Sequence, residues 1–293
     1  MILITGSNGL LGQKLVFLFS PQNKVIGIDL QSESIFSDPN FHYENQDITN
    51  KQLLQSRIKQ YNPQIIIHTA AYTDVDGCET NQEKAKLVNF EGTKNLVEIC
   101  KNKKIKLIFL STDYIFDGEN GPYDEDNPPN PKSYYGLTKL QSEDFIKESG
   151  IDFLIIRSNV LYGIGKDTKP NFLTWVIDKL SQNEKIKVVT DQFNNPTLAD
   201  NLAFAIQEMV ERDFSGIYHI AGSEYLSRYD FALRIASKFD FDQNAIFPIQ
   251  TKDLKQKAPR PLRGGLKIEK AQRILKTTLL SVEEGLDFLK AAE

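Results

Sequence analysis

The chain has few of the residues that build disulfide scaffolds and metal centres. Its 293 residues include two cysteines, three histidines, two methionines and one tryptophan. Cys78 is expected in a turn-like segment and Cys100 at the end of a helix, and neither has metal-ligand spacing to other candidate ligands. We therefore expect reduced thiols, a cytoplasmic protein and no metal site.

Long hydrophobic runs and a large excess of one charge are also lacking. No stretch approaches the roughly 18 apolar residues of a membrane helix. The apolar N-terminus has no basic segment of the kind that starts a secretory signal, and several polar residues and glycines interrupt it. A net charge of -4, with 25% charged residues, indicates neither nucleic acid nor an anionic membrane as a partner. The expected partner is a small molecule.

The most informative segment is an apolar strand at the start of the chain, followed by glycines in a G-x-x-G-x-x-G pattern. Gly6 allows a tight turn out of the strand, and Gly9 lets backbone N–H groups approach a pyrophosphate. Gly12 lets the helix Leu10–Phe19 pack closely on the sheet, with its N-terminus facing the phosphates. The loop predicts a dinucleotide site that is bordered by Gly6, Asn8, Gly9, Leu10 and Gly12.

An acidic residue follows these glycines where a ribose hydroxyl acceptor belongs. Glycines after a strand are common in α/β proteins, so the loop alone would be a weak indicator. A second strand, Lys24–Asp29, strengthens it, because this strand follows at βαβ spacing and ends in Asp29. The carboxylate would repel a 2′-phosphate, and Gln31 and Ser32 supply no cation to offset it. The sequence therefore favours NADH without excluding NADPH.

Apolar runs and helical patterns alternate through the first half of the chain and predict a Rossmann-like α/β fold with a doubly wound parallel sheet. The predicted strands are Ile2–Thr5, Lys24–Asp29, Ile65–His68, Lys106–Ser111 and Phe153–Ile156, with Phe41–Asn45 as an edge strand. The predicted helices are Leu10–Phe19, Lys51–Gln60, Gln82–Cys100 and Ser133–Lys147. We expect the site at the carboxyl ends of these strands, near the topological switch point.

The elements become shorter after Arg157. Helices are predicted at Asn171–Ser181, Leu198–Val210 and Arg228–Phe239, and extended segments at Lys185–Val189 and Ile217–Ile220. This pattern predicts a dinucleotide-binding domain over residues 1–160 and a smaller α/β substrate-binding lobe over residues 161–293, partly interwoven with the sheet. The segment Gly118–Lys132 contains four prolines and is expected to be a surface loop over the site.

A tyrosine and a lysine lie four residues apart after that loop. Tyr135 and Lys139 would share one helix face, and an adjacent ammonium lets a tyrosine that titrates near 10 act as an acid or base nearer neutral pH. This spacing arises readily by chance on a solvated helix face, and Tyr134 competes for the role. The preceding strand, however, delivers the hydroxyls of Ser111 and Thr112 to the sheet edge, where a substrate carbonyl would lie. No histidine is placed to activate Ser111 for hydrolysis.

The glycine loop, the hydroxyls at the strand end and the Tyr-Lys pair together resemble the extended short-chain dehydrogenase/reductases. Within them the chain is most similar to the dTDP-4-dehydrorhamnose reductases, over nearly its whole length. The most discriminating motif is Ser111–Tyr114 followed by Phe116–Gly118. The other shared motifs are Gly6–Gly12, Gln46–Thr49, His68–Asp76, Val88–Asn89, Tyr135–Lys139, Arg157–Gly163, Asp191–Phe193, Pro196–Thr197 and Arg260–Pro261.

The resemblance implies an NADH- or NADPH-dependent oxidoreductase that reduces the C4 ketone of a nucleotide-linked 4-keto-6-deoxyhexose. The implied reaction converts dTDP-4-dehydrorhamnose to dTDP-L-rhamnose, a precursor of cell-surface polysaccharide. Hydride would pass from the nicotinamide to the ketone, and Tyr135 would protonate the emerging alkoxide. Thr112 would hold the substrate oxygen, and Lys139 would lower the pKa of Tyr135 and bind the nicotinamide ribose. This assignment selects Tyr135 over Tyr134.

Further roles come from the resemblance alone. The cofactor would be bordered by Asp47, Ile48, Ala70, Ala71 and Tyr72. Asn89 would stand behind Lys139 as a structural and proton-relay residue, or it would simply satisfy backbone groups inside the fold. The substrate would contact Asp113, Tyr114, Asn159 and Arg260.

The chain departs from the family pattern in three places. Asn159 stands where relatives usually carry an aromatic residue, and Asn194–Asn195 replaces a pair of small residues. Arg263–Gly265 replaces a serine-containing stretch after Arg260. The two arginines would either meet a diphosphate or stay solvated. These departures bear on the identity of the sugar and the nucleotide.

Two other functions remain open for such a chain. A nucleotide-sugar 4-epimerase or dehydratase would keep the fold, retain NAD tightly and return the hydride. A non-catalytic regulatory subunit is the other possibility, because the β subunit of methionine adenosyltransferase has a segment similar to Ala70–Asp76. A homodimer is compatible with the reductase and with each of these two alternatives.

Overall fold

The computed structural model describes residues 1–291, in which strands and helices alternate along the first half of the chain. The strands are β1 (Ile2–Thr5), β2 (Val25–Asp29), β3 (Phe41–Asn45), β4 (Ile65–His68), β5 (Lys106–Thr112), β6 (Phe153–Ser158), β7 (Leu161–Tyr162), β8 (Ile186–Val189), β9 (Phe193–Asn194), β10 (Thr197–Leu198), β11 (Gly216–His219), β12 (Leu226–Ser227) and β13 (Ile246–Ile249). The helices are α1 (Leu10–Phe19), α2 (Lys51–Tyr61), α3 (Val75–Thr80), α4 (Gln82–Ala85), α5 (Gly92–Lys103), α6 (Tyr134–Ser149), α7 (Phe172–Ser181), α8 (Ala199–Glu211), α9 (Arg228–Lys238), α10 (Glu269–Gln272) and α11 (Val282–Lys290).

Seven of the strands form one parallel sheet in the order β11-β6-β5-β4-β1-β2-β3. In the register of β1, Ile2 pairs with Val25 on one side and with Ile65 on the other. The direction of winding reverses between β1 and β4, so the loops after these two strands line the crevice at the switch point. The predicted Rossmann-like, doubly wound parallel sheet is confirmed.

Alternate residues of the central strand bury their side chains in two apolar layers. Ile2 and Ile4 pack with the apolar faces of α1 and α8, whereas Leu3 packs with α2 and α5 on the opposite face. Burial of each such side chain stabilises the fold by about 1.5–3 kcal/mol. The strands therefore have apolar residues on both faces, as a sheet covered by helices on both sides requires.

The second half of the chain contributes both to the sheet and to a core of its own. Strand β11 forms one edge of the sheet, and α8 packs against α1. A separate apolar cluster joins α7, α9 and α11 with the parallel pair of β8 and β13. The division at residue 160 stays a prediction of the sequence. Within residues 1–291, no helix combines the length and the apolarity needed to cross a membrane.

The structure departs from the predicted elements at several places, of which three bear on the site or on the C-terminal segment. The helix predicted over Gln82–Cys100 is broken by a π-helical segment, Lys86–Glu91, between α4 and α5. Cys78 does not lie in a turn, because Asp74 accepts a hydrogen bond from the N–H of Gly77 and starts α3 there. Helix α11 was not predicted, although its capping box, Ser281 with Glu284, is visible in the sequence.

Candidate active site

The glycine loop between β1 and α1 is packed so tightly that two of its positions require glycine. Gly6 has a φ of +72°, and a Cβ there would lie 2.8 Å from the backbone N of Ala70. A Cβ on Gly12 would lie 2.0 Å from the carbonyl oxygen of Gly6, whereas one on Gly9 would lie 3.2 Å from that oxygen. No side chain caps the N-terminus of α1. The first N–H groups of this helix are thus available to the pyrophosphate of a dinucleotide.

The carboxylate at the end of β2 binds the same loop. Asp29 accepts hydrogen bonds from the backbone N–H groups of Asn8 at 2.9 Å and Leu30 at 2.7 Å. The side chain of Asn8 donates to Gln31 Oε1 at 2.9 Å. Burial, and in second place the charge of Asp29, raises the pKa of Tyr43 to about 12. This corner of the crevice suits hydroxyl donors, such as those of a ribose, better than a phosphate.

Asn89 connects the segment after β4 to helix α6. Its Oδ1 accepts from the N–H of Tyr72 at 2.7 Å, and its Nδ2 donates to the carbonyl of Tyr72 at 3.1 Å and to Thr138 Oγ1 at 3.1 Å. The N–H of Ala70 lies 3.3 Å from Thr5 Oγ1, which holds the same segment to β1. Asn89 therefore satisfies backbone groups in this fold, and its part in a proton relay stays a prediction.

Two residues expected to border the adenine lie beyond β3 in different environments. Asp47 is exposed and accepts a hydrogen bond from the N–H of Thr49 at 2.8 Å. Ile48 is buried in the apolar layer, where a Cβ on Gly92 would lie 2.7 Å from its Cδ1. The structure thus directs the side chain of Ile48 towards α5, and the adenine contact of these residues stays a prediction.

Thr112 and Tyr135 meet where β5 ends and α6 begins. Thr112 Oγ1 accepts from the N–H of Tyr114 at 3.2 Å, and Ser133 caps α6 in the same way. A Cβ on Gly136 would lie 2.1 Å from the carbonyl oxygen of Tyr114, so glycine lets the first turn of α6 reach this strand end. The ring of Tyr135 meets the ring of Tyr114 edge to face at 5.8 Å, and the hydroxyl of Thr112 is near enough to lower the pKa of Tyr135. The structure brings together the hydroxyl and the phenol that the sequence predicted.

Lys139 is buried one helical turn beyond Tyr135, and no carboxylate within residues 1–291 is bonded to its ammonium. Its Nζ donates to the carbonyl oxygen of Leu110 at 2.7 Å and lies 3.9 Å from the ring centroid of Phe109. Burial lowers the pKa of Lys139 to about 7, although the charge of Glu143 acts in the opposite direction. This ammonium therefore loses its proton more readily than that of an ordinary lysine, and an anionic or hydrogen-bond-accepting ligand would stabilise its charged form.

Burial dominates the pKa of Tyr135 in this structure. Burial raises that pKa, the neighbouring Cys78 raises it further, and the nearby hydroxyl of Thr112 lowers it. The ammonium of Lys139 donates to the carbonyl of Leu110, and its acidifying effect on Tyr135 stays a prediction. The phenol keeps its proton at neutral pH, as a proton donor must.

A buried ion pair that the sequence analysis missed lies next to Lys139. Arg157 Nε and Nη2 donate to Glu143 at 3.0 Å and 2.7 Å, and Arg157 Nη1 lies 3.3 Å from His219 Nε2. Ser111 donates its hydroxyl proton to the same carboxylate and is therefore not a free nucleophile. The available signal was the spacing, since Glu143 follows Lys139 by four residues on α6.

Asn159 takes part in a buried polar cluster around Asp113. Its carboxamide lies between the carboxyl group of Asp113 and the backbone of Asn195. The next residue, Val160, has a φ of +37°, a strained conformation for a β-branched residue. Burial raises the pKa of Asp113 to about 6 against hydrogen bonds from Gly265 N–H, Asn159 and Thr112. An amide thus lies next to Asp113, at the position where the resemblance implied an aromatic ring.

Three arginines lie around this cluster in different states. Arg260 is paired with Asp76 at 3.0 Å, which ties the C-terminal segment to α3. Arg263 is exposed. Burial raises the pKa of Tyr114, whereas Arg228 and Arg260 lower it. Arg228, at the start of α9, was missed because no motif around it indicated a role.

Within residues 1–291, no group of three histidine, cysteine or acidic side chains is arranged to hold a metal ion.

Comparison with known proteins identifies relatives along the whole chain. A probable low-salt glycan biosynthesis reductase, Agl14 of Haloferax volcanii, is 33% identical over 99% of this chain and 97% of its own length. The methionine adenosyltransferase 2 subunit beta of Xenopus tropicalis is 30% identical over 93% of this chain and 81% of its own. The crystal structure of dTDP-4-dehydrorhamnose reductase from Bacillus anthracis, in complex with NADP, superposes with a TM-score of 0.89 at 29% identity, covering 100% and 99% of the two chains.

These relatives confirm the predicted resemblance to the reductase branch of the extended short-chain dehydrogenase/reductases. A model of the RmlD substrate binding domain matches residues 1–292. The match extends from the glycine loop through the Thr112–Tyr135 site to the arginine-containing C-terminal segment. The chain therefore belongs to the RmlD substrate binding domain family.

Proposed function

We propose that this protein is an NAD(P)H-dependent reductase of the C4 ketone of a nucleotide-linked 4-keto-6-deoxyhexose, with dTDP-4-dehydrorhamnose as the first substrate to test. The observation that carries the proposal is the meeting of Thr112 and Tyr135 at the carboxyl edge of the sheet, near a glycine loop that suits a dinucleotide. The Bacillus anthracis reductase and the Haloferax volcanii reductase support it.

The chemistry divides between the cofactor and the side chains. A bound reduced nicotinamide supplies the hydride. Tyr135 gives its phenolic proton to the oxygen of the ketone as the carbon is reduced, and Thr112 holds that oxygen by a hydrogen bond. Burial keeps Tyr135 protonated before the reaction, which matches a donor and not a base. The product is an alcohol, and Tyr135 regains its proton from solvent.

Lys139 is proposed to bind the nicotinamide ribose and to stabilise the phenolate left on Tyr135. Its ammonium has three donors, of which Leu110 uses one, so two remain for a ribose diol. The remaining residues proposed to border the cofactor are Gly6, Asn8, Gly9, Leu10, Gly12, Asp29, Asp47, Ile48, Ala70, Ala71, Tyr72 and Asn89. Asp113, Tyr114, Asn159 and Arg260 are proposed to form the substrate side.

The choice between NADH and NADPH depends on the corner around Asp29. Its carboxylate, bonded to two backbone N–H groups, favours NADH because a 2′-phosphate would meet a negative charge there.

We further propose that the protein is cytoplasmic, that residues 161–293 form a substrate lobe and that two chains form a homodimer. Burial raises the pKa of each of the thiols Cys78 and Cys100 to about 12, which suits reduced, unreactive cysteines.

A regulatory subunit is the second candidate, and the similarity to the Xenopus tropicalis β subunit favours it. The neighbouring hydroxyls of Thr112 and Tyr135, with Lys139 buried on the same helix as Tyr135, weigh against a scaffold without chemistry. A buried lysine without a bonded carboxylate is costly, and a scaffold has no need for one.

The test mixes purified protein with dTDP-4-dehydrorhamnose and either NADH or NADPH, and follows the loss of the reduced-nicotinamide absorbance. We expect oxidation of both cofactors, with the lower KM for NADH. Cofactor binding without oxidation would contradict the reductase assignment and favour the regulatory role. NAD that copurifies with the protein, without net oxidation, would favour an epimerase or dehydratase.

A further inference from the structure

Gln13, on helix α1, is bonded to a loop that follows it by 153 residues in the chain. Its side chain is 5% exposed. Its Nε2 donates to the carbonyl oxygen of Asn8 at 2.7 Å and to that of Lys166 at 2.7 Å. Its Oε1 accepts from the N–H of Lys166 at 3.0 Å. One buried amide thus joins the glycine loop to the loop of residues 163–168, which lies between β7 and α7.

The 163–168 loop has few other attachments. Within residues 1–291, residues 164–168 form no backbone–backbone hydrogen bonds with other segments. At one end of the loop, Asn171 Nδ2 donates to the carbonyl oxygen of Gly163 at 2.7 Å. Thr168 Oγ1 donates to the carbonyl of Gly165 within the loop at 3.4 Å. The middle of the loop is therefore held to the rest of the fold by Gln13.

The 163–168 loop packs against the first residue of α1. A Cβ on Gly165 would lie 3.2 Å from Leu10 Cδ1, and one on Gly163 would lie 3.8 Å from the same atom. Leu10 begins α1 directly after the glycine loop. The 163–168 loop thus borders the helix N-terminus at which the pyrophosphate of the dinucleotide is proposed to bind.

Gln13 also fixes the peptide group of Asn8 in the glycine loop. The N–H of Asn8 donates to Asp29 at 2.9 Å, and its Nδ2 donates to Gln31 Oε1 at 2.9 Å. The carbonyl oxygen of Asn8 is the acceptor for Gln13. Asn8 is therefore bonded on one side to the corner proposed for the ribose and on the other side, through Gln13, to the 163–168 loop.

We infer that Gln13 is a positioning residue that holds the 163–168 loop against the glycine loop and closes this side of the dinucleotide pocket, an inference that rests on the proposed function. A loop without backbone hydrogen bonds to its surroundings opens at little cost once its side-chain attachment is removed. The bonds of Gln13 therefore slow the release of a bound dinucleotide. Gln13 acts through the loop and takes no part in the transfer of hydride or proton.

The experiment measures how fast NADH leaves the protein, by stopped-flow displacement of the fluorescent cofactor with excess NAD+. Gln13→Met keeps the length of the side chain and removes its three hydrogen bonds, and it should raise the release rate by about tenfold or more. The KM for NADH should rise as well. The kcat with dTDP-4-dehydrorhamnose should not fall, because the substitution removes binding and leaves Thr112 and Tyr135 in place.

Asn201→Leu is the matched control for a loss of stability. Asn201 is also a buried amide, and it joins α8 to the C-terminal segment by donating to the carbonyl of Thr278 at 2.8 Å and accepting from the N–H of Leu280 at 3.0 Å. Its replacement should lower the free energy of unfolding in urea about as much as Gln13→Met does. NADH should leave Asn201→Leu at the wild-type rate.

Gly165→Ala tests the same attachment from the loop. The added Cβ would lie 2.8 Å from Thr168 Cγ2 and 3.1 Å from Gln13 Oε1, so the loop must shift away from Gln13. We expect faster release of NADH from this variant too. Combining it with Gln13→Met should add little, because both substitutions open the same loop.

Three results would overturn the inference and leave the proposed function intact. The first is release of NADH from Gln13→Met at the wild-type rate. The second is faster release from Gln13→Met but not from Gly165→Ala, which would mean that Gln13 acts on Asn8 alone. The third is an equal increase in Asn201→Leu, which would tie the rate to overall stability. Failure of the wild type to bind NADH or NADPH would instead contradict the proposed function together with the inference.

Discussion

Two buried cations near the carboxylate of Glu143, Arg157 and Lys139, have opposite kinds of partners. Arg157 is 3% exposed and forms a two-pronged ion pair with Glu143. Lys139 is 4% exposed, and its partners among residues 1–291 are a carbonyl oxygen and an aromatic ring. The first arrangement neutralises a charge within the protein. The second lowers the pKa of the ammonium and leaves two of its N–H donors for the ligand that Lys139 is proposed to bind.

The largest expected effect comes from removing the phenol that Lys139 is proposed to support. Tyr135→Phe should lower kcat by about 10²–10⁴-fold, because general acid catalysis is worth that much. The affinity for NADPH should not change, and cofactor fluorescence titration measures it. Tyr134→Phe is the matched control and should remain active. An active Tyr135→Phe variant would contradict the proton-donor role.

Breaking the ion pair between Arg157 and Glu143 should lower the stability of the fold. Glu143→Gln leaves Arg157 buried without its partner and should cost about 3–5 kcal/mol of unfolding free energy. Urea denaturation measures this loss. Glu98→Gln breaks an exposed pair with Lys51 and should cost less than about 1 kcal/mol. A double variant with leucine at both Glu143 and Arg157 should recover part of the loss. Wild-type stability of Glu143→Gln would contradict the structural role of the pair.

If Lys139 binds the nicotinamide ribose, the glycine loop must accommodate the pyrophosphate of the same cofactor. Gly12→Ala would place a Cβ 2.0 Å from the carbonyl oxygen of Gly6, which should cost about 1–3 kcal/mol and weaken cofactor binding. Gly9→Ala, with its nearest contact at 3.2 Å, should do less. Thermal unfolding and NADH titration of the two variants measure the difference. Equal behaviour of the two would argue against the role assigned to Gly12.

The most gradual effect expected is a pH dependence caused by Lys139. Its pKa is near 10.4 in the unfolded chain and about 7 in the fold. Between these values the unfolded chain binds more protons, so the free energy of unfolding should rise with pH by at most about 1.4 kcal/mol per unit. This stabilisation is complete above the unfolded pKa and is lost as the pH falls through about 7.

Lys139→Met removes the titrating group and should flatten that rise in urea denaturation. The paired Arg157 stays charged throughout this pH range and contributes nothing to it. A rise of the same size in the methionine variant would show that another group causes it.

The parts of the fold that were predictable from sequence depend on local patterns. Strand β1 and helix α1 were predicted at their observed ends, because apolar runs and glycines mark them. Tyr135 and Lys139 were predicted to share a helix face because they lie four residues apart. The parallel, doubly wound sheet was predicted from the alternation of strands and helices.

What was not predictable depends on contacts between distant residues. The π-helical segment accompanies the bonds of Asn89 to Tyr72, which lies 17 residues earlier in the chain. The partner of Glu143 lies on β6, and the partner of Arg260, Asp76, lies in the first half of the chain on α3. No local pattern encodes these contacts, and they decide which cations are paired and which remain available.

The central claim is that this site transfers a hydride from the nicotinamide to a sugar ketone and does not return it, so that the cofactor is consumed. The direct measurement incubates the protein with dTDP-4-dehydrorhamnose and NADH deuterated at the transferring position, then locates deuterium in the product by NMR. The account predicts one deuterium at C4 of dTDP-L-rhamnose for each NADH oxidised. A product without deuterium at C4, or no product while the cofactor remains bound, would contradict it.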